Sequence, residues 1–174
     1  MFSINVPVPT EVARVRETLY HELAGFERIR NRHTLVLKRI DTSDSGGQRL
    51  HRVRERVREC LRSSKMPVQR SIHLKIDTID FFDDPPAGSA PVVYFHVDSD
   101  PLRYLHLYLC GQFNPVEEIE ATDYVPHVTL ARGGSVDNAR RVCSNVSFEP
   151  ISWQVNELHI WDNRYREVGA SVSI

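Results

Sequence analysis

The chain has 174 residues, 41% hydrophobic and 26% charged, the balance of one globular domain or of one domain made of two similar halves. A net charge of −1 excludes the global basic field of a duplex-coating protein, and no apolar run approaches the roughly 18 residues that span a bilayer. Met1–Pro7 lacks a basic segment followed by an apolar one, so no secretory signal is expected. Cys60, Cys110 and Cys143 have no metal-ligand spacing, which argues against structural zinc and a disulfide framework and for a reducing, cytoplasmic compartment.

In chain order, Phe2–Pro7 reads as a strand and Thr10 as the cap of a helix with Val12, Val15, Leu19 and Leu23 inward, ended by Gly25. A strand follows at Thr34–Ile40, then a loop at Asp41–Gly47. The next helix carries Leu50, Val53, Val57 and Leu61 at helical spacing, with arginines on its other faces. A strand at Val68–Phe81 leads to the loop Asp83–Pro91 and a further strand at Val92–Val97. The third helix begins at Asp100-Pro101, a cap followed by Pro in the first turn, with Leu102, Leu105 and Leu109 inward. An irregular stretch from Gln112 to Pro126 precedes a strand at His127–Arg132, a helix begun by Ser135, and a last strand at Trp153–Trp161.

Matching elements recur at offsets near ninety residues, each half running strand, helix, strand, helix, strand. The expected fold is therefore α+β: two pseudo-symmetric lobes, each a mainly antiparallel sheet with two outer helices, the sheets lining a central cleft. Residues 1–174 form one domain, with lobe-like halves at about 1–82 and 91–174 between which strands are free to exchange.

The basic residues are nineteen Arg and three Lys; Arg offers a rigid fork of donors suited to phosphate, although a GC-rich genome produces the same bias. Of the eight histidines, His21 and His51 lie on charged helices and His106 on a helix flank. His73, His96 and His159 read as structural strand residues. His-Glu-x-x-His and other zinc spacings are absent, so neither metal nor cofactor is expected. His127 stands apart. In Pro126-His127-Val128-Thr129-Leu130-Ala131-Arg132, period two puts Val128 and Leu130 on the core face and His127 and Thr129 together on the other. That pairs a proton carrier with a hydroxyl, which suits holding and cleaving a phosphoester. By the same alternation, Arg132 lies on the face of Leu130 and reaches the cleft only from the strand end.

These residues, with Phe2-Ser3-Ile4-Asn5-Val6-Pro7 and Arg32-His33-Thr34-Leu35, resemble the 2H phosphoesterase superfamily, and within it the RNA 2′,3′-cyclic phosphodiesterases, or 2′-5′ RNA ligase family. The family is named for two His-x-Thr/Ser-x motifs. The second is matched in full. The first is offset, because Thr34 directly follows His33. Two registers follow. In one, His33 faces the cleft with Leu35 and Leu37; in the other, Thr34 takes the motif's hydroxyl place, Arg32 stands at its histidine place and Lys38 faces the cleft side. A bulge near Arg32–Thr34 would turn His33 and Thr34 into the cleft together.

The resemblance implies metal-independent opening of RNA or nucleotide 2′,3′-cyclic phosphates to 2′-phosphates, with reversible 2′-5′ RNA ligation as a related activity. It implies His127 as general base and His33 as general acid, with Thr34, Thr129, Arg132, Arg32 and Tyr165 as phosphate or substrate contacts. The expected partners are RNA ends or cyclic nucleotides, for a cytoplasmic monomer that does not meet a membrane. The competing expectation is a module that binds RNA or nucleotide ends without turnover.

Overall fold

The computed structural model describes residues 1–40, 49–63, 65–66 and 70–174. The β-branched and aromatic stretches become β1 (Phe2–Val6), β2 (Arg28–Ile29), β3 (Leu35–Ile40), β4 (Ile72–Phe82), β5 (Val92–Asp98), β6 (His127–Arg132), β7 (Ile151–Val155), β8 (Glu157–Asp162) and β9 (Glu167–Ser173). The helices are α1 (Thr10–Thr18), α2 (Tyr20–Leu23), α3 (Arg49–Arg62), α4 (Asp100–Cys110) and α5 (Val136–Asn145). The loop expected at Asp41–Gly47 and the start of the strand expected from Val68 lie outside the described residues.

The pairings are antiparallel throughout. They run in the order β7-β4-β5-β6-β3-β1-β8-β9, with β2 added beside β6. β3 and β6 meet through one residue pair, Leu35 with Val128, so two four-stranded lobes join at a narrow seam. Read outward from that seam, one lobe is β6-β5-β4-β7 and the other β3-β1-β8-β9. The lobes therefore interleave the sequence: β4 crosses into the lobe of β5 and β6, while β8 and β9 cross into the lobe of β1 and β3. The fold class is the α+β, two-lobed one expected, with the two sheets fused into one.

The single strand expected at Trp153–Trp161 is two strands, because its parts serve opposite lobes. β7 pairs with β4, and after Asn156 β8 pairs with β1. In a flat sheet one residue cannot reach from the edge strand β7 to β8, the last strand but one on the other side, so the sheet curls into an open half-barrel. The Trp153 Nε1–H donates to the Pro7 carbonyl at 3.0 Å, tying β7 to the end of β1.

Ile4, Leu35, Leu74, Ile76, Phe95, Val128, Leu130 and Leu158 share one face of the sheet and one continuous core under the helices. Each such side chain contributes about 1.5–3 kcal/mol by leaving water. α4 begins one residue earlier in its capping than expected: Ser99, not Asp100, accepts the Leu102 N–H at 3.3 Å and also donates to the His73 carbonyl at 2.6 Å. Ser135 caps α5 through the Asn138 N–H, as its sequence indicates. Thr10 lies inside α1 and caps nothing, and the expected first helix breaks at Leu19.

Candidate active site

Strict alternation fails at two matching points. Against β1, Ile4 pairs with Lys38 but Asn5 pairs with Val36, so Leu37 is an extra residue in β3. Against β5, Val93 pairs with Ala131 but Tyr94 pairs with Thr129, so Leu130 is an extra residue in β6. A bulge of this kind puts two consecutive residues on one face and returns the next to the other. Leu37 and Lys38 are accordingly both buried, as are Leu130 and Ala131. Arg39 and Arg132 come back to the concave face, where both line a cleft of about 430 Å³ between the lobes. Arg132, the last residue of β6, thus reaches the cleft because the bulge returns it to the cleft face, not from the face of Leu130 as alternation had suggested.

His127 and Thr129 face this cleft from β6, and Thr34 faces it from the approach to β3. The His127 Nδ1–H donates to the Val125 carbonyl at 2.7 Å. That bond fixes the tautomer and leaves Nε2 as the free lone pair. Phe82 packs edge-on to the imidazole at 5.3 Å, and Tyr94 leans on it at 5.1 Å. Burial is the largest influence on the ring and lowers its pKa; the Val125 hydrogen bond opposes this, and the charges of Arg39 and Arg132, with His96, lower it further. His127 is therefore neutral around pH 7, in the state of a base.

The other side chains expected at the site lie elsewhere. His33 does not line the cleft. Both its ring nitrogens are buried without a hydrogen-bond partner. Burial and then Arg16 of α1 hold its pKa below the usual histidine value, and the nearby Thr129 backbone acts the other way without a well-formed hydrogen bond. Of the two expected registers, the second holds from Thr34 to Leu37, with Thr34 and Val36 on the cleft and Leu35 and Leu37 packed inward; it fails at Arg32 and, beyond the bulge, at Lys38. The bulge lies at Leu37, not at Arg32–Thr34, so Thr34 turns inward to the cleft without His33. Arg32 is exposed, over the Trp161 ring at 5.4 Å and donating to the Arg166 carbonyl. Tyr165 is 62% exposed at the turn between β8 and β9, with Arg164 over its ring.

Lys38, expected to face the cleft in the second register, is fully buried on the core side. Its Nζ meets Glu120 at 2.5 Å and donates to the Asn114 carbonyl at 3.0 Å. Glu120 also accepts the backbone N–H of Arg39 at 2.7 Å and that of Val116 at 3.0 Å. His106, expected on a helix flank, is buried beneath the same segment: its Nδ1–H donates to the Leu37 carbonyl, its Nε2 accepts the Ala121 N–H, and its ring stacks on Tyr124 at 3.8 Å. This polar network fastens the stretch before β6 to β3. From that stretch come Glu118, Ile119, Asp123, Tyr124 and Val125, one wall of the cleft.

The opposite wall is Asp84, Pro85, Pro86 and Ala87. The Ala87 carbonyl accepts from Arg132 at 2.9 Å. Gly88, at a φ of 85°, lies so close that a Cβ would sit 2.8 Å from the Arg132 guanidinium, hence a glycine at this turn. Arg30, beside β2, completes the basic lining with Arg39 and Arg132. Sequence reasoning missed Arg30, Arg39, Phe82 and Tyr94. The available signal for Arg39 was its place two residues after a Leu, matching Arg132 after Leu130. Among the described residues, no group of three His, Cys, Asp or Glu side chains is placed to hold a metal ion, and no helix is long and apolar enough to cross a membrane.

A two-lobed α+β fold with a basic, histidine-bearing cleft at the seam defines the class of 2H phosphoesterases. Residues 46–166 match the family model described as the 2′-5′ RNA ligase superfamily, and the chain belongs to that superfamily. The match begins after the offset first motif and contains His127 and Thr129. Two solved structures share the fold. TT0787 of Thermus thermophilus is 12% identical with a TM-score of 0.62, over 99% of this chain and 96% of that one. E. coli LigT, complexed with 3′-AMP, is 16% identical with a TM-score of 0.57, over 92% and 86%. No curated protein matches the chain.

Proposed function

We propose that the protein hydrolyses 2′,3′-cyclic phosphate ends of RNA or nucleotides to 2′-phosphates, with His127 as the general base. The observation that carries this reading is the His127 ring: its Nδ1–H is spent on the Val125 carbonyl and its Nε2 is free, in a cleft lined by Thr34, Thr129, Arg39 and Arg132. A water between Nε2 and the phosphorus gives up a proton to the imidazole as its oxygen attacks. The P–O3′ bond breaks, and O3′ leaves with the electron pair. Arg132 and Arg30 balance the charge of the phosphoryl oxygens, and the threonine hydroxyls orient them. Membership of the superfamily and the nucleotide bound by LigT support the substrate class. By the same analogy reversible 2′-5′ ligation, in which a 5′-hydroxyl takes the place of the attacking water at the cyclic phosphate, belongs to the same site; a cytoplasmic monomer is part of the same proposal.

The test is turnover of 2′,3′-cyclic AMP by the wild type and by His127→Ala. The expected loss is about 10²–10⁴-fold, the usual range for removing one proton transfer. Because the His127 pKa lies below the ordinary histidine value, the active neutral form persists to lower pH. The rate should rise on an acid limb centred below that value and stay level through neutrality. A His127→Ala protein as fast as wild type would overturn the reading. One observation favours a second reading, a binding module without turnover: His33 is enclosed outside the cleft. Tight binding of 2′,3′-cyclic AMP with no product would establish that module instead.

A further inference from the structure

The two lobes present the cleft with equivalent stretches of strand. The burial sequence of Thr34-Leu35-Val36-Leu37-Lys38-Arg39 repeats, position for position, in His127-Val128-Thr129-Leu130-Ala131-Arg132. Each stretch has its extra residue at the same place, Leu37 in one and Leu130 in the other. In this superposition Thr34 holds the place of His127, Val36 that of Thr129, and Arg39 that of Arg132. The half-site on β3 therefore has a threonine where the half-site on β6 has its histidine, and a valine where it has its threonine. What it keeps is the arginine.

We propose that Arg39 replaces a second histidine in the chemistry, stabilising the departing O3′ as a fixed cation. This rests on the cyclic phosphodiesterase reading above. Three arrangements support it. The Arg39 guanidinium is half-open, lining the cleft while its Nη1 stays 3.7 Å from Glu120. Its backbone N–H is held by the same carboxylate, so the residue is anchored at both ends. Its charge is felt at the His127 ring across the cleft. An arginine does not give up a proton near neutral pH. It acts by charge and hydrogen bonding: the P–O3′ electron pair moves onto O3′, the guanidinium donates to that alkoxide, and O3′ then takes a proton from solvent. The proton that His127 took from the attacking water returns to solvent, which balances the step.

A group that grips the phosphate in the ground state lowers KM, whereas one that meets charge formed only as the bond breaks raises kcat. With 2′,3′-cyclic AMP, Arg39→Ala should lower kcat about 10²–10³-fold, the range for losing one preorganised donor, with KM within a few-fold. Arg39→Lys keeps the charge and the reach to Glu120, and should lose about tenfold. His33→Gln should stay within about threefold of wild type. If Arg39→Ala does not fold, Arg39→Lys alone carries the test through its kcat. A loss residing in KM, a loss under threefold, or a His33→Gln defect as large as that of the Arg39 variants overturns the role of Arg39. A wild type that turns over no cyclic nucleotide overturns the function reading itself, and this inference with it.

Discussion

Lys38 and Glu120 form an ion pair with side chains 0% and 1% exposed, and the cleft depends on it. Two charges withdrawn from water cost more than they return unless every donor and acceptor is matched. Here Glu120 has three further contacts, from the backbone at Arg39 and Val116 and from the Arg39 side chain. Removing one partner strands the other, so Glu120→Gln or Lys38→Met should lower unfolding free energy by about 3–5 kcal/mol, read as a lower urea midpoint. The pH dependence has a definite sign. Burial pushes the Glu120 pKa up, but the hydrogen bonds from Lys38, Arg39 and Val116 outweigh it and hold the carboxyl below its ordinary value. A depressed carboxylate contributes stability that is complete above the ordinary pKa and is lost as pH falls through the lowered one. The wild type should thus lose stability across the acid range by an extra increment that Glu120→Gln does not show. Lys38 in a strand signals solvent by composition, and its partner is 82 residues away, so nothing local marks it as buried.

At the scale of elements, caps and bulges decide where side chains point. Ser99 serves α4 and the His73 carbonyl together. Ser99→Ala should cost about 1–2 kcal/mol, the cap and one buried hydrogen bond, visible in thermal melts while kcat on a cyclic nucleotide stays unchanged. The faces of Val128, Leu130, His127 and Thr129 are legible from period two alone, because that stretch precedes its bulge. The faces of Lys38, Arg39 and Arg132 are not. Each lies beyond an extra residue whose presence is set by pairing with another strand, and pairing is absent from a one-dimensional pattern. His33 misleads for the same reason: the motif resembled by its letters sits one residue out of phase with the cleft. β2, two residues long, and β9, largely exposed and broken by Gly169, carry no alternation to read.

The whole molecule was more legible than its details. Element order and the near-ninety-residue offset imply two similar halves, and these offsets survive in three dimensions because matched strands occupy matched places on either side of the seam. Which lobe receives the last strand of each half was not legible, since β4 and β8 have the same local character in either partner sheet. Yet that crossing has the largest consequence for the chain as a polymer. Residues 83–91, between β4 and β5, form the natural place to cut. A nick there leaves an N-terminal piece whose β4 is paired with β5 and β7 of the other piece, and a C-terminal piece whose β8 is paired with β1. The pieces embrace each other like the arms of a swapped dimer. Cleaved in that loop, the protein should still elute as one particle and separate only in denaturant; expressed alone, each piece should stay unfolded, and mixed they should reassemble. Elution of two folded, independent pieces after cleavage would contradict this. If the pieces stay together, the covalent link at the loop is dispensable for association, and the two pieces behave as a heterodimer written as a single chain.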